Sequence, residues 1–236
     1  MSQSPKARVV ADGLAHRFPG TDILFEGVSF TINPGDVLGL CGPSGSGKST
    51  ILSIIAGWEK PWQGQIRLND CKRLGWVFQN PHGVAERSTL DHVVYPLLAK
   101  GMRRKQAEQK ALEVMEEFSL AEVKKRPFYA LSGGEAQRLM LARAVCQKPD
   151  VLLVDEPTAQ LDSRTAATVT STLHILAERG LAVVMATHDT LARSRCTQVI
   201  DLLDYTPGNV IAQSSTEPLA GNEPQTQSLR SQWRRR

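Results

Sequence analysis

Residues 42–50, GPSGSGKST, combine a glycine-rich loop with a lysine and a hydroxyl group at fixed spacing. Glycines let successive backbone N–H groups converge on one anion, and a helix that begins at such a loop adds its N-terminal partial charge. Lys48 supplies a cation for the β and γ phosphates of a nucleotide, and the Ser49 hydroxyl is a hard oxygen ligand for Mg²⁺. The stretch fits the pattern G-x-x-x-x-G-K-[ST] and therefore predicts a nucleoside triphosphate site.

Two adjacent acids follow an apolar run at residues 151–157, VLLVDEP. A buried strand would deliver them to the carboxyl edge of a parallel sheet, where open α/β sheets bind ligands. We expect Asp155 to hold Mg²⁺ through water and Glu156 to act as the general base on the attacking water. Alone, the pair fits solvated acids at a strand end equally well, but the phosphate loop upstream favours the catalytic interpretation.

A second anion-binding feature occurs at residues 130–141, ALSGGEAQRLML. A serine and two glycines directly precede a stretch with the pattern of an amphipathic helix, and a helix N-terminus with free N–H groups attracts anions. A lone Ser-Gly-Gly also fits a capped helix without any ligand. The stretch by itself therefore leaves both interpretations open.

Strand and helix patterns indicate how these motifs are positioned. Residues 35–42 resemble a buried parallel strand that ends at the phosphate loop, and a helix is predicted from Lys48 to about residue 57. Residues 91–147 have mostly helical periodicity, and strand–helix alternation resumes from residue 150 to residue 203. This order predicts an α/β core with a mostly parallel sheet, interrupted by a helical subdomain.

Composition excludes several classes of protein. No stretch approaches the roughly 18 consecutive apolar residues of a membrane span, and the N-terminus lacks the apolar region of a secretory signal. The four cysteines form no C-x-x-C pair, so we expect reduced structural thiols. The net charge is +4, and the last 24 residues hold four arginines against two glutamates, so the rest is too weakly basic to indicate nucleic-acid binding.

The motifs together resemble those of ABC-type ATPases, the nucleotide-binding domains of ABC transporters, over about residues 8–203. Residues 131–137, LSGGEAQ, resemble the signature of that family and are called the signature below. The resemblance implies the ABC ATPase fold, a P-loop core with a mostly parallel sheet, an N-terminal antiparallel β subdomain and an inserted α-helical subdomain. It also implies two copies packed head to tail, with each signature capping the ATP that the other copy's phosphate loop holds.

The resemblance also implies individual roles. Gln79 resembles the Q-loop glutamine that contacts Mg²⁺ and water, and His188 resembles the switch histidine that contacts the γ-phosphate. Asp162 resembles the D-loop aspartate at the dimer seam, and Phe18 occupies the place of the aromatic ring that stacks on adenine. The residues predicted to bind ATP are Phe18, Gly42, Pro43, Ser44, Gly45, Ser46, Gly47, Lys48, Ser49, Thr50, Gln79, Ser132, Gly133, Gly134, Gln137 and Asp162. The predicted metal ligands are Ser49, Gln79 and Asp155, and the predicted catalytic residues are Lys48, Glu156 and His188.

The chain departs from the family pattern at three places. Ala159 and Gln160 replace the commoner Ser-Ala or Gly-Asn of the D-loop, Phe18 replaces the usual tyrosine, and residues 80–88 lack the Leu-Pro pair that often follows the Q-loop. None of these departures removes a catalytic group. The remaining histidines match no family motif and are expected to be structural: His16, His82, His92 and His174.

The predicted organisation is one ABC ATPase domain over residues 1–212, with its helical subdomain at about 83–147, and a disordered tail over 213–236. The chain is predicted to hydrolyse ATP as a homodimer and to power a separate transmembrane permease, in two copies, from the cytoplasmic face of the cell membrane, to which it is peripheral. Apolar residues of 84–97 are expected either to dock the permease or to pack in the core: Val84, Leu90, Val93 and Leu97.

The stretches SGGE, STLDHVVYPLLAKGM and THDTLA most resemble the ATPases of lipoprotein-release, macrolide-export, heme-export and cell-division complexes. They favour a transporter of the efflux or mechanotransmission type, with heme, lipoprotein, peptide or drug as candidate substrates. The alternatives are the ATPase of an importer for small solutes, a soluble ABC ATPase of translation or DNA repair, and a scaffold in a division complex.

Overall fold

The computed structural model describes residues 7–159 and 161–207, which form two sheets surrounded by helices. The strands are β1 (Val9–His16), β2 (Phe25–Ile32), β3 (Val37–Cys41), β4 (Gln63–Leu68), β5 (Leu74–Val77), β6 (Val151–Asp155), β7 (Ala182–Ala186) and β8 (Gln198–Asp201). The α-helices are α1 (Lys48–Ile55), α2 (Thr89–Ala99), α3 (Arg104–Glu117), α4 (Gly133–Cys146), α5 (Ser163–Glu178) and α6 (Thr190–Ser194).

The larger sheet is parallel, with strand order β5-β6-β7-β3-β8. Its central strands β3, β6 and β7 are almost completely buried, which explains why each is a continuous apolar run rather than an alternating one. Because parallel strands end at the same edge, β3 delivers the phosphate loop and β6 delivers Asp155 to one side of the sheet. Asp155 pairs there with Ala186, two residues before His188.

The smaller sheet is antiparallel, with order β2-β1-β4. Its apolar side chains share a core with α1 and the parallel sheet, and the largest wholly buried ring of this core is Phe25. The mostly parallel core sheet and the N-terminal antiparallel sheet predicted from the sequence are both confirmed. This packing fixes β1 and β2 next to the helix that follows the phosphate loop.

Helices α2, α3 and α4 form the predicted helical insert between β5 and β6. Ser88 caps α2 by accepting a hydrogen bond from the backbone N–H of Asp91 at 3.1 Å. The insert has its own share of the core, which includes Val93, Leu97 and Met115. Of the two alternatives for Val93 and Leu97, docking the permease or packing in the core, the structure supports core packing, because both side chains are buried in this core.

Of the other two residues in that expectation, Leu90 is partly buried against the same core and Val84 is exposed.

In the described part of the chain, no helix combines the length and the apolar character needed to cross a lipid bilayer. The predicted tail, 213–236, lies outside the described residues, and so do the last five residues of the predicted domain. The domain boundaries stay predictions.

Candidate active site

A cavity of about 530 Å³ opens at the carboxyl edge of the parallel sheet. Its volume falls in the range of small-molecule and cofactor sites. The lining joins the phosphate loop with residues from four other parts of the chain: Phe18, Leu24, Pro43, Ser44, Gly45, Gly47, Lys48, Ser49, Thr50, Gln79, Glu156 and His188. Residues that are up to 170 positions apart in sequence therefore meet around one space.

The phosphate loop, residues 42–50, owes its shape to glycines. Gly42 and Gly47 have φ angles of 137° and 101°, which residues with a side chain rarely adopt. A Cβ on Gly42 would lie 2.7 Å from the Ser46 hydroxyl, and a Cβ on Gly47 would lie 2.7 Å from the ring of Phe25. Helix α1 begins directly after Gly47 with no side-chain cap, so its first backbone N–H groups are free to bind an anion.

Lys48 is almost completely buried at the floor of this loop. Its Nζ donates to the carbonyl oxygens of Gly42 at 2.9 Å and Pro43 at 3.0 Å, and lies 3.4 Å from Oε1 of Glu156. The carbonyls hold the ammonium group in place, and the single carboxylate balances its charge. A phosphate entering the cavity would offer Lys48 a stronger anionic partner.

Glu156 stands between two basic side chains. Its Oε2 lies 2.8 Å from Nδ1 of His188, and its Oε1 faces Lys48. The backbone of Glu156 has φ 46°, a strained conformation for a non-glycine residue, and its N–H donates to the carbonyl of Ala186 at 2.9 Å. Strained residues concentrate at functional sites. The residue is 8% exposed and lines the cavity, so water reaches it from there.

Asp155 and Ser49 provide two hard oxygen atoms next to each other. The Ser49 hydroxyl donates to Oδ1 of Asp155 at 3.1 Å. Burial raises the pKa of Asp155 above its ordinary value, although the Ser49 hydrogen bond opposes the shift. A divalent cation at this carboxylate would offset the cost of burying its charge, so the pair fits Mg²⁺.

No cluster of three or more His, Cys, Asp and Glu side chains that could hold a metal occurs within 7–159 and 161–207. A cation next to Ser49 and Asp155 would therefore complete its coordination with phosphate oxygens and water, as Mg²⁺ does at sites that bind nucleotides. Gln79 lines the nucleotide cavity and is the remaining side chain that was predicted as a metal ligand.

The signature forms a second helix N-terminus with a different construction. Ser132 precedes α4 and its Oγ accepts from the backbone N–H of Glu135 at 3.3 Å, while Oε2 of Glu135 accepts from the Ser132 N–H at 2.8 Å. This reciprocal pair is a capping box. Arg126 fixes Glu135 from the other side at 3.0 Å. Ser132 and Gly133 are exposed, and a Cβ on Gly133 would meet nothing within 4 Å.

The signature does not take part in the nucleotide cavity of its own chain, since none of Ser132, Gly133 and Gly134 lines it. Gly133 shares only a narrow crevice of about 10 Å³ with Gln137, Gln79 and Glu156, a space no larger than one water molecule. Gln137 is 3% exposed, so its side chain is withdrawn from the exposed face that carries Ser132. Gln137 is therefore buried, whereas Ser132 and Gly133, which are also predicted to contact the nucleotide, are exposed.

Asp162 caps α5 and is exposed. Its Oδ1 accepts from the backbone N–H groups of Arg164 and Thr165, and the Thr165 hydroxyl donates to Oδ2 at 2.7 Å. The hydrogen bonds from Thr165 lower the pKa of Asp162, which keeps it charged. The neighbouring Gln160, part of the unusual D-loop, lies outside the described residues.

Two features of this region have no counterpart in the motifs. Leu24 lines the nucleotide cavity beside Phe18, and nothing in the local sequence distinguishes it from a core leucine. The other feature is an aromatic stack, in which the ring of Trp58 lies 4.4 Å from that of Trp76 with an interplanar angle of 9°, and Phe78 follows at 5.3 Å. Trp58 is 63% exposed and Phe78 is 47% exposed.

This aromatic stack borders a groove of about 180 Å³ between the end of β5 and helix α4. Trp76 and Phe78 form one wall, and the other wall comes from α4 and the residue after it: Met140, Arg143, Ala144 and Gln147. Phe78 directly precedes Gln79, so the groove and the nucleotide cavity lie on either side of the same short segment.

Comparison with known proteins places these features in context. A sequence model described as "ABC transporter" matches residues 25–159. The lipoprotein-releasing system ATP-binding protein LolD of Alcanivorax borkumensis is 36% identical over 197 residues, which cover 77% of this chain and 86% of that protein. LolD 1 of Rhodospirillum rubrum is 34% identical over 227 residues, which cover 88% of this chain and 99% of that protein.

Solved structures agree with this result. The dimeric ATP-binding cassette MJ0796, bound to ADP and Pi in a post-hydrolysis state, is 29% identical with a TM-score of 0.71, covering 82% of this chain and 93% of its own. An ABC transporter solved in an inward-facing conformation is 28% identical with a TM-score of 0.74, covering 84% of this chain and 80% of its own. The P-loop fold with its helical insert, predicted from the sequence, is thereby confirmed.

Proposed function

The chain belongs to the ABC transporter family as an ATP-binding subunit that hydrolyses ATP, and we propose that two copies of it power a separate transmembrane permease. In this proposal the subunit is peripheral and lies on the cytoplasmic face of the cell membrane. The observation that supports it most strongly is the division of the ATP site, with Lys48, Glu156 and His188 around one cavity and Ser132 exposed outside it.

ATP enters the cavity with its phosphates on the backbone N–H groups of residues 44–50 and its adenine against Phe18. Lys48 then turns from Glu156 to the β and γ phosphates, since a phosphate carries more charge than a carboxylate and accepts more hydrogen bonds. The carbonyls of Gly42 and Pro43 already hold its ammonium group at the phosphate loop before ATP arrives. Binding thereby frees Glu156 for a water molecule.

Ser49 and Asp155 would hold Mg²⁺, with Gln79 as a further oxygen ligand. When bound, Mg²⁺ neutralises charge on the β and γ phosphates and fixes their geometry. The 3.1 Å hydrogen bond from the Ser49 hydroxyl to Oδ1 of Asp155 supports this assignment, because it holds two hard oxygen atoms side by side at the end of the phosphate loop.

Hydrolysis then needs a water in line with the bond from the γ-phosphorus to the bridging oxygen. Glu156 accepts a proton from this water, and His188 donates a hydrogen bond to a γ-phosphate oxygen. Lys48 stabilises the charge that passes to the leaving ADP. The present contact of Glu156 with His188, 2.8 Å, keeps base and switch residue together before the substrate arrives.

The second copy completes the site. Its Ser132 hydroxyl and the N–H groups of its Gly133 and Gly134 donate to the remaining γ-phosphate oxygens, so ATP joins the two chains and ADP, which lacks that phosphate, releases them. The capping box supports this role, because it holds the Ser132 oxygen at the exposed helix start. Asp162 lies at the seam, and the burial of Gln137 favours a role for it within its own chain.

The permease docks in the groove between the aromatic stack (Trp58, Trp76 and Phe78) and α4. An apolar helix of the permease would cover rings that water now reaches, and the exposed rings of Trp58 and Phe78 are the anchors that interfaces favour. Phe78 and Asn80 line the groove on either side of Gln79, and Gln79 itself lines the nucleotide cavity. Movement of this segment on ATP binding would therefore pull directly on the docked partner.

The relatives named for lipoprotein release favour the efflux or mechanotransmission branch, with lipoprotein the first candidate substrate. An importer ATPase for small solutes remains the alternative assignment. Both alternatives share the nucleotide chemistry and differ in the membrane partner, so identification of that partner decides between them.

The test is recovery of the native chain from detergent-solubilised membranes, followed by identification of the bound polypeptides. We expect a protein with several membrane-spanning segments, and we expect Trp58→Ala and Phe78→Ala to reduce its recovery. Trp62→Ala is the matched control, because that exposed ring packs against Arg17 outside the groove. Recovery with ribosomes or DNA instead would refute the transport assignment.

A further inference from the structure

His16 is an unusual buried residue. It is the last residue of β1 and 3% exposed, although imidazole is polar. Within residues 7–159 and 161–207, neither of its ring nitrogens has a hydrogen-bond partner. Leaving a buried polar group unpaired destabilises a protein, so a residue of this kind calls for an explanation.

The ring of His16 lies between those of Phe18 and Phe25. Its centroid is 4.8 Å from that of Phe18 at an interplanar angle of 80°, the edge-to-face arrangement that aromatic pairs prefer. On the other side it stacks on Phe25 at 6.3 Å and 29°. Phe25 in turn is the ring that a Cβ on Gly47 would strike. The three rings thus form a continuous row from the phosphate loop to Phe18.

Backbone contacts fix the same row. The N–H of Leu24 donates to the carbonyl of His16 at 2.8 Å, and the Thr21 hydroxyl accepts from the N–H of Phe18 at 3.2 Å. Residues 17–24 therefore form a closed loop that starts and ends beside His16. Phe18 and Leu24 both line the nucleotide cavity, whereas His16 does not.

We propose that His16 is a positioning residue for the nucleobase, which holds the Phe18 ring edge-on at the angle that stacking requires. The inference rests on the proposed function, because it needs the nucleobase to lie on Phe18. His16 itself touches no nucleotide atom. It gives the site its preference for a triphosphate that carries a base over the bare phosphate chain.

The test compares two ligands in the chain of 236 residues. ATP affinity is measured by calorimetry in the presence of Mg²⁺, and inorganic tripolyphosphate is measured as an inhibitor of ATP hydrolysis. In His16→Ala we expect about 2- to 10-fold weaker ATP binding, the worth of one edge-to-face pair, and an unchanged inhibition constant for tripolyphosphate. The KM for ATP should rise by more than kcat falls.

Two further variants separate positioning from general support of the fold. In His16→Phe an aromatic edge is kept, and since neither ring nitrogen is bonded, we expect ATP affinity close to that of the unaltered chain. In His16→Leu the volume is filled without an aromatic edge, and affinity should fall as in His16→Ala. The double variant His16→Ala/Phe18→Ala should bind ATP no more weakly than Phe18→Ala, because His16 acts through Phe18.

The control is His174→Ala, at a half-buried position of α5 outside the nucleotide cavity, which should change the affinity for neither ligand. Equal loss of ATP and tripolyphosphate affinity in His16→Ala, or additive losses in the double variant, would overturn the proposal. If Phe18→Ala weakens ATP binding whereas His16→Ala and His16→Leu do not, the role of His16 is refuted and that of Phe18 is not. If the unaltered chain binds no ATP, the proposed function itself is refuted.

Discussion

Two helix N-termini in the described part of the chain are suited to phosphate, and they differ in almost every other respect. Helix α1 begins after Gly47 without a side-chain cap, inside a cavity of about 530 Å³ that four other segments help to form. Helix α4 begins after Ser132 with a complete capping box, and its exposed start contributes nothing to that cavity. The first can enclose a ligand, and the second can only meet one that is presented from outside.

This difference indicates why the ATP site of one chain is incomplete without a second copy. A capped, exposed helix start is stable without an anion, because its own side chains already satisfy part of its backbone. The uncapped start of α1 depends on the loop carbonyls, Lys48 and the ligand to complete its surroundings. ATP binding therefore stabilises the start of α1 most. The start of α4 is stable in the single chain, before a second copy brings ATP to it.

The largest effect on ATP hydrolysis is expected in the nucleotide cavity beside α1. Glu156→Gln removes the general base and should lower kcat of ATP hydrolysis by about 10²–10⁴-fold, while ATP still binds and holds two chains together. Phosphate release assays and sedimentation measure the two effects. Glu122→Gln, at an exposed acid, is the control. Hydrolysis near the unaltered rate in Glu156→Gln would remove this residue from the mechanism.

The next largest effect on ATP hydrolysis is expected at the signature, where α4 begins. Gly133→Asp places a negative charge where the γ-phosphate of the other copy should lie, and the open space at Gly133 means that the monomer accommodates the side chain. We expect hydrolysis to fall by about 10²–10³-fold, the cost of losing a donor to developing charge, with unchanged ATP affinity of the isolated chain. Gln109→Asp, on the exposed face of α3, is the control. Weakened ATP binding by the monomer would contradict a role across the seam.

A third prediction concerns Asp155, next to the phosphate loop. Burial raises its pKa, so protons compete with Mg²⁺ at a higher pH than for an exposed aspartate. We expect the Mg²⁺ concentration for half-maximal hydrolysis to increase as pH falls. Asp155→Asn should raise that concentration about 10- to 100-fold, as loss of a partner at a metal site does.

The same shift has a consequence for stability. An acid whose pKa is raised on folding destabilises the folded state at pH values above that pKa, because its charge is disfavoured there. Asp155→Asn should therefore increase the thermal stability of the protein without nucleotide at neutral pH. A decrease, measured by calorimetry, would show that the buried carboxylate is better satisfied than its surroundings indicate.

The smallest effect is expected in the capping box of the signature. Burial would raise the pKa of Glu135, but the hydrogen bonds from Ser132 and the charges of Arg126 and Arg138 outweigh it, and the net shift is downward from 4.5. The stabilisation is thus present above about pH 4.5 and is lost as pH falls below it. Glu135→Ala should reduce the free energy of unfolding by about 1 kcal/mol at neutral pH, and denaturant titrations at pH 7 and pH 3.5 should show a smaller difference at the lower pH.

Local motifs made much of the fold and of the cavity predictable. The phosphate loop and residues 151–157 each carry their chemistry within a few consecutive residues, and the apolar runs before them identify buried parallel strands. Because such strands end at one edge, the meeting of Lys48 with Glu156 follows from the pattern. The signature likewise contains its own cap, from Ser132 to Glu135.

What the sequence could not reveal depends on packing between distant segments. Val93 and Leu97 belong to an amphipathic helix, and only the positions of α3 and α4 show that both face the core. Trp58 and Trp76 are 18 positions apart, yet stack at 4.4 Å. His16 has no motif at all, and its place between Phe18 and Phe25 arises from the pairing of β1 with β2.

The central claim is that the exposed helix start of one copy completes the ATP site of another. A photoreactive ATP analogue with its reactive group on the γ-phosphate tests it, using an equal mixture of Glu156→Gln chains and Lys48→Ala chains enlarged by a tag. The account predicts that the tagged chain, which cannot hold the nucleotide itself, is labelled at residues 131–134 only when the other chain is present. Labelling confined to the Glu156→Gln chain would contradict it.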